Sequence, residues 1–110
     1  MIRINIKPLS VNEAWKGKRY KTDKYRMYQN TLLWLLPKME MPQPPYEVRF
    51  RFGFSNTLSD WDNPVKPTQD ILSQKYGFND KLIRKATVET EIVPKGKEYF
   101  EFEIVGAKKQ

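Results

Sequence analysis

Residues 46–54 read Tyr-Glu-Val-Arg-Phe-Arg-Phe-Gly-Phe and carry the most regular alternation of apolar and polar residues in the chain. Successive side chains of a β-strand point to opposite faces, so this period of two places Tyr46, Val48 and the three phenylalanines on one face. Arg49 and Arg51 fall on the other face. We therefore predict a strand over residues 46–54 at the centre of a sheet, with its phenylalanines in the core.

The segments around this strand predict two helices and three further strands. Apolar residues recur at helical spacing in two stretches and alternate with polar residues in three others. In chain order the expected elements are a strand over residues 2–6, a helix from Thr22 or Asp23 to about Leu36, the strand over 46–54, a helix over roughly 64–76, and a hairpin of strands over about 84–93 and 98–105 with its turn at 94–97.

This order, β-α-β-α-β-β, predicts an α+β fold. We expect a single domain over residues 1–110, in which two helices pack against a mixed four-stranded sheet. Residues 9–21 read as an irregular basic loop. Pro67 leaves two possibilities for the second helix, either a distorted first turn or a regular helix that begins at Pro67.

The chain contains no histidine and no cysteine, which limits its chemistry. Imidazole bases, thiolate nucleophiles, zinc fingers and disulfides are excluded. Any bound metal needs oxygen ligands, and such sites suit magnesium, manganese or calcium. The longest apolar run, Leu32 to Leu36, has five residues, whereas a membrane-spanning helix needs about 20. We therefore expect a soluble, unprocessed, cytoplasmic protein with no small-molecule cofactor.

The net charge is +7, and the positive excess lies in the first three quarters of the chain. Residues 1–85 carry 16 lysines and arginines against 8 acidic residues, whereas residues 86–110 carry 4 against 5. Such an excess favours a polyanionic partner, because neutralising phosphates releases condensed counterions. The alternative is a charge that serves only solubility.

The densest basic segment runs from residue 16 to residue 26 and includes interleaved aromatic residues. Basic side chains pair with phosphates and aromatic rings stack on exposed bases, so this segment is a candidate DNA-binding surface. The alternative is a solvated loop whose aromatic residues belong to the core. The candidate DNA-binding residues are Lys16, Lys18, Arg19, Tyr20, Lys21, Lys24 and Arg26. Arg49 and Arg51 are secondary candidates.

Residues 59–80 place four aspartates around one lysine: Asp60, Asp62, Asp70 and Asp80 around Lys66. In an extended segment Asp60 and Asp62 point to the same side, with Cα atoms about 6.5–7 Å apart. Lys66 and Asp70 share a helical face, and Asp80 follows on a turn that could fold back. Divalent metals held by such carboxylates activate water and stabilise charge on a phosphodiester. The structural alternative is that these residues only cap helices, balance charge and start turns.

The spacing Asp60-x-Asp62-Asn63-x-x-Lys66-x-x-x-Asp70, followed by Gly77-Phe78 and then Asp80, resembles the RusA-type Holliday junction resolvases. Weaker similarity extends over most of the chain, through Asn12 and the basic-aromatic stretch after it, Tyr25-Arg26, and a closing Lys/Gly turn. The resemblance implies a homodimeric α+β endodeoxyribonuclease. Such an enzyme makes paired, symmetric cuts in four-way DNA junctions with Mg²⁺ or Mn²⁺.

The same resemblance implies roles for the acidic residues. Asp60, Asp62 and Asp80 are expected to be metal-binding catalytic carboxylates and Lys66 a catalytic lysine, while Asp70 matches a recurrent position of the family. The family often has two acids where this chain has Asn79-Asp80. Two other functions stay open: a basic DNA- or RNA-binding module without cleavage, and a degenerate resolvase that binds junctions without cutting them.

Overall fold

The computed structural model describes residues 1–17 and 20–107. Its central strand is β4 (Tyr46–Phe54), which has the predicted bounds. The other elements are β1 (Ile2–Ile4), α1 (Val11–Ala14), β2 (Trp15–Lys16), β3 (Tyr20–Lys21), α2 (Asp23–Leu35), α3 (Val65–Tyr76), a 3₁₀ helix (Asp80–Leu82), β5 (Ile83–Ile92) and β6 (Tyr99–Gly106).

The α+β class and the mixed four-stranded sheet are confirmed. The strand order is β1-β6-β4-β5, with β4 antiparallel to β6 and parallel to β5. The phenylalanine stripe of β4 lies in the core, where Phe50 and Phe52 are almost fully buried. Within residues 1–17 and 20–107, no helix is long and apolar enough to cross a membrane.

The predicted C-terminal hairpin is wrong. β5 and β6 lie on opposite sides of β4, and residues 93–98 connect them past the end of that strand. The register explains this order, because β6 sets Phe102 opposite Phe50 on the core face and Glu103 opposite Arg49 on the other face. Matched apolar pairs and opposite charges stabilise neighbouring strands. β5, whose residues are largely exposed, is therefore an edge strand of the sheet.

The predicted irregular loop over residues 9–21 is also wrong in part. The hydroxyl of Ser10 accepts a hydrogen bond from the backbone N–H of Asn12 at 3.2 Å and caps the short helix α1. After α1, β2 and β3 form a small antiparallel sheet in which Lys16 lies opposite Tyr20. Two of the candidate DNA-binding residues, Lys18 and Arg19, lie outside the described residues.

The two predicted helices, α2 and α3, are confirmed. Thr22 caps α2 by accepting a hydrogen bond from the N–H of Tyr25 at 3.1 Å, as expected for a threonine at this position. Inside the core, the hydroxyl groups of Tyr28 on α2 and Thr68 on α3 are 2.8 Å apart. Burial raises the pKa of Tyr28 well above its ordinary value, despite that hydrogen bond. This contact fixes α3, which carries part of the candidate site, against α2.

The other face of the sheet carries a row of alternating charges. Arg3 on β1 lies 3.7 Å from Glu101 on β6, which lies 4.0 Å from Arg51 on β4. Arg51 in turn lies 2.8 Å from Glu89 on β5. Each cation is therefore paired with a glutamate of a neighbouring strand.

Candidate functional site

Lys66 lies between two of the predicted aspartates. Its ammonium nitrogen is 2.9 Å from Oδ1 of Asp70, one helical turn along α3, and 3.8 Å from Oδ2 of Asp80, which begins the 3₁₀ helix. Lys66 is largely exposed, whereas both carboxylates are only partly accessible. The hydrogen bond to Asp70 raises the pKa of Lys66, partial burial opposes this, and the charges of Asp70 and Asp80 add to the increase. The lysine is therefore held in its charged form.

The turn after α3 brings Asp80 back to this helix. Gly77 adopts the left-handed conformation with φ 67°, and its N–H bonds to the carbonyl of Ser73 at 2.9 Å. The left-handed region is costly for residues with a Cβ, so glycine suits the position. Asn79 then caps the 3₁₀ helix by accepting from the N–H of Lys81 at 3.0 Å. This double change of direction places the Asp80 carboxylate beside the first turns of α3.

Gln69 is a contact of the site that was not predicted from the sequence. Its side-chain amide donates to Oδ2 of Asp80 at 3.4 Å. Gln69 precedes Asp70 on α3, but the sequence gives no sign that Asp80 returns to this helix. The contact helps to fix the orientation of a carboxylate that Lys66 also attracts.

Asp60 and Asp62 lie on consecutive turns, so the predicted extended segment is wrong. The carbonyl of Asp60 accepts from the N–H of Asn63 at 3.2 Å, and that of Asp62 accepts from Val65 at 3.0 Å. Residues 61–64 thus lead directly into α3, and both aspartate side chains are exposed. The two carboxylates are displayed on the surface just before the helix that holds Lys66.

Pro67 does not delay the start of α3. The helix begins at Val65, and its first intrahelical bond runs from the N–H of Thr68 to the carbonyl of Pro64 at 3.2 Å. Pro67 occupies the first turn, where backbone N–H groups have no intrahelical acceptor. The first turn is helical, and this allows Lys66 and Asp70 to meet at a spacing of four residues.

The predicted metal ligands do not gather into one cluster. Among the described residues, no three acidic side chains are grouped so as to hold a metal ion. Asp80 is joined to Asp70 through Lys66, whereas Asp60 and Asp62 stand on the preceding turn. The oxygen ligands have the chemistry that Mg²⁺ prefers, but a complete three-carboxylate cage is not formed. Mg²⁺ commonly binds through one or two carboxylates together with water and phosphate oxygens.

The basic hairpin formed by β2 and β3 exposes part of the candidate DNA-binding set. Lys16 is exposed, and Tyr20 has 72% of its surface accessible. The ammonium of Lys21 lies 5.1 Å from the ring centroid of Tyr25, within the range of a cation–π contact. Tyr25 itself is buried and packs against Trp15, with ring centroids 5.5 Å apart. Tyr25 therefore belongs to the core, as the structural alternative expected.

Two candidate cations of this region already have acidic partners. Lys24 lies 3.0 Å from Glu13, and Arg26 lies 3.2 Å from Asp23. All four side chains are considerably exposed, so these pairs are weak and can open for another anion. Arg49, a secondary candidate, is bound more closely, because Glu47 and Glu103 lie 3.0 and 2.9 Å from its guanidinium.

A backbone hydrogen bond connects α1, which leads directly into the basic hairpin, to the acidic turn of residues 60–64. The N–H of Val11, at the start of α1, donates to the carbonyl of Asn63 at 2.8 Å, and the N–H of Thr22 donates to Ala14 at 3.0 Å. Burial, and secondarily the charge of Asp70, raises the pKa of Tyr25. Asp70 on α3 therefore lies close to the first turn of α2, which carries Tyr25.

No family model matches this chain, and no curated protein matches it.

Proposed function

We propose that the protein is a metal-dependent, structure-specific endodeoxyribonuclease of the RusA type, which resolves four-way DNA junctions by paired symmetric cuts. The observation that carries this proposal is the position of Lys66 between Asp70 and Asp80, directly after the turn that exposes Asp60 and Asp62. A charged lysine among accessible carboxylates suits a site that handles both a cation and a phosphodiester.

In this proposal Mg²⁺ or Mn²⁺ binds through one or two of the carboxylates of Asp60, Asp62 and Asp80, with water and phosphate oxygens completing the coordination. The ion, when bound, supplies a Lewis acid and a more acidic water. Lys66 adds positive charge beside the scissile phosphate. Asp70 fixes the ammonium of Lys66 through its 2.9 Å hydrogen bond and is a positioning residue.

The hairpin supports DNA as the polyanion. Lys16, Tyr20 and Lys21 are exposed on β2 and β3, and the Val11 to Asn63 hydrogen bond ties this region to the acidic turn. Cations and an aromatic ring beside a phosphodiester site suit a backbone and its unstacked bases. The same proposal includes branched DNA as the substrate and a cytoplasmic location. It also includes a homodimer, because paired cuts need two sites related by symmetry.

A second function is favoured by one specific observation. The ion pairs of Lys66 are also what a purely structural cluster forms, because they balance the charge of α3 and the 3₁₀ helix. In that case the protein is a basic nucleic-acid-binding module without cleavage, or a degenerate resolvase.

One assay separates these functions. The protein is incubated with a synthetic four-way junction, with and without Mg²⁺ or Mn²⁺, and products are analysed for symmetric nicks. We expect metal-dependent paired nicks that Asp62→Asn abolishes while junction binding persists. Asp23→Asn is the matched control, since Asp23 is an exposed aspartate whose ion pair is with Arg26 and not with Lys66. Junction binding without nicks in either metal would overturn the nuclease proposal in favour of the binding module.

A further inference from the structure

The outer edge of β5 is the longest unpaired strand edge in the described structure. β5 extends over ten residues, Ile83–Ile92, and pairs only with β4 among the described residues. A strand edge presents backbone N–H and C=O groups that can pair with another strand. The opposite edge of the sheet, β1, has only three residues.

We propose that two copies of the chain pair through this edge, β5 against β5 in antiparallel orientation, to form one continuous eight-stranded sheet. A twofold axis perpendicular to the sheet relates the strands, so each copy offers the same surface to the other. This inference specifies the homodimer that the proposed nuclease requires, but the contact itself needs no DNA and no metal.

The charges on the open face of β5 are self-complementary. The pairing with β4 places Lys85, Thr87 and Glu89 on the same face as Glu47, Arg49 and Arg51. If Thr87 lies on the twofold axis, Lys85 stands opposite Glu89 of the partner subunit, and the pair occurs twice. Opposite charges at directly facing positions favour this register.

The row of charges across the sheet gives independent support. It alternates from Arg3 through Glu101 and Arg51 to Glu89, with separations of 3.7, 4.0 and 2.8 Å, and ends there with an acidic residue at the edge. The proposed register adds Lys85 of the partner subunit next to Glu89. The alternation of charges then continues across the twofold axis instead of stopping at an exposed carboxylate.

Exposed apolar surface lies on the core-side face of the same edge. A shallow depression beside β5 is lined by Trp61, Asp62, Val65, Ala86, Thr87 and Val88. Trp61 and Ile92 each have 59% of their surface accessible. With Thr87 on the axis, Ala86 faces Val88 of the partner subunit, so pairing extends the core-side apolar surface across the interface. Asp62 lines this depression, so the two acidic turns would face each other near the axis.

Cysteine cross-linking tests this arrangement in a chain that has no natural cysteine. Thr87→Cys, at the axis, is expected to form a covalent dimer on mild oxidation, as read on a non-reducing gel. Trp34→Cys is the matched control, because Trp34 is 87% exposed on α2, a different element. Cross-linking of Trp34→Cys without Thr87→Cys would place the interface on α2 and overturn the proposal.

A charge exchange tests the register by sedimentation without DNA. Lys85→Glu is expected to weaken dimerisation about tenfold or more. The substituted side chain faces Glu89 of the partner subunit, and this repulsive contact occurs at two symmetry-related places in the interface. Mixing Lys85→Glu with Glu89→Lys restores both opposite-charge pairs and should restore the dimer. Lys95→Glu, in the turn before β6, makes the same charge change as a control and should leave dimerisation unaltered.

The outcomes separate the two proposals. If the protein dimerises through β5 but never nicks a junction, the nuclease proposal is wrong and the proposed interface is retained. A protein that sediments as a monomer, or one that dimerises equally well with Lys85→Glu, overturns the interface whatever its activity.

Discussion

The hydroxyl of Tyr28 on α2 lies 2.8 Å from the hydroxyl of Thr68 on α3, and both side chains are buried. This hydrogen bond joins the helix that follows the basic hairpin to the helix that carries Lys66. Removing the hydrogen-bond partner of a buried hydroxyl destabilises the folded state, because water cannot reach the hydroxyl to replace the lost bond. The stability of the candidate site is therefore coupled to a polar contact in the core.

Tyr28→Phe should lower the free energy of unfolding by about 1–3 kcal/mol, because it leaves the Thr68 hydroxyl buried without this partner. Thr68→Val should also destabilise the protein. The double variant should lose less than the sum of the two single losses, since both hydroxyls are then gone. Urea unfolding of all four proteins measures this coupling, and strictly additive losses would contradict it.

Gly53→Ala should destabilise the sheet by about 1–3 kcal/mol through overpacking. A Cβ at Gly53 would clash with ring carbons Cε1 and Cδ1 of the buried Tyr99. Gly106→Ala is the control, because a Cβ there meets its nearest atom, the Gln43 carbonyl oxygen, at 3.6 Å. Equal stability of the two variants in thermal unfolding would show that Tyr99 moves aside without cost.

Stability should fall between about pH 10 and pH 12 because of Tyr99. Burial raises the pKa of Tyr99 to about 12, and its hydrogen bond to Glu91 adds to the increase. The folded state therefore keeps the proton that the unfolded chain releases near pH 10, so this contribution is present below pH 10 and is lost as the pH rises through 12. Absorbance at 295 nm and unfolding free energies against pH test this effect, and Tyr99→Phe should reduce the loss of stability while the buried Tyr28 and Tyr25 still contribute to it.

Lys66→Met should slow junction nicking about 10²-fold or more while leaving the fold intact, because it removes a charge expected to act on the phosphate. Lys75→Met is the matched control on the same helix, where Lys75 bonds the carbonyl of Leu33 at 3.2 Å. Single-turnover rates and circular dichroism provide the comparison. A normal nicking rate for Lys66→Met would remove Lys66 from the proposed machinery.

Replacing Lys16 and Lys21 by alanine should weaken junction binding and flatten its dependence on salt. Each lost phosphate contact reduces the slope of log affinity against log salt by about 0.9 on duplex DNA. The double variant Lys95→Ala, Lys97→Ala has the same charge change in the turn between β5 and β6 and serves as control. If the two double variants bind equally across salt concentrations, the β2-β3 hairpin is not the DNA surface.

The sequence by itself determined the elements whose signals are local. The alternation in residues 46–54 gave β4 its bounds, and Thr22 and Gly77 marked one end of α2 and one end of α3. Helical spacing was enough to bring Lys66 to Asp70, because residues four apart share one face of a helix. These outcomes depend on contacts between residues that are close in the chain.

Only the tertiary structure decided what depends on distant partners. The short 93–98 connection suggested a hairpin, but β4 separates β5 from β6, since a central apolar strand is best buried when it is paired on both sides. Asp80 reaches Lys66 because the chain reverses after Gly77, and Asp60 and Asp62 lie on turns that hydrogen bonds to Asn63 and Val65 fix. Local patterns cannot specify such positions, because the free energy that fixes them comes from packing α3 against the sheet and α2.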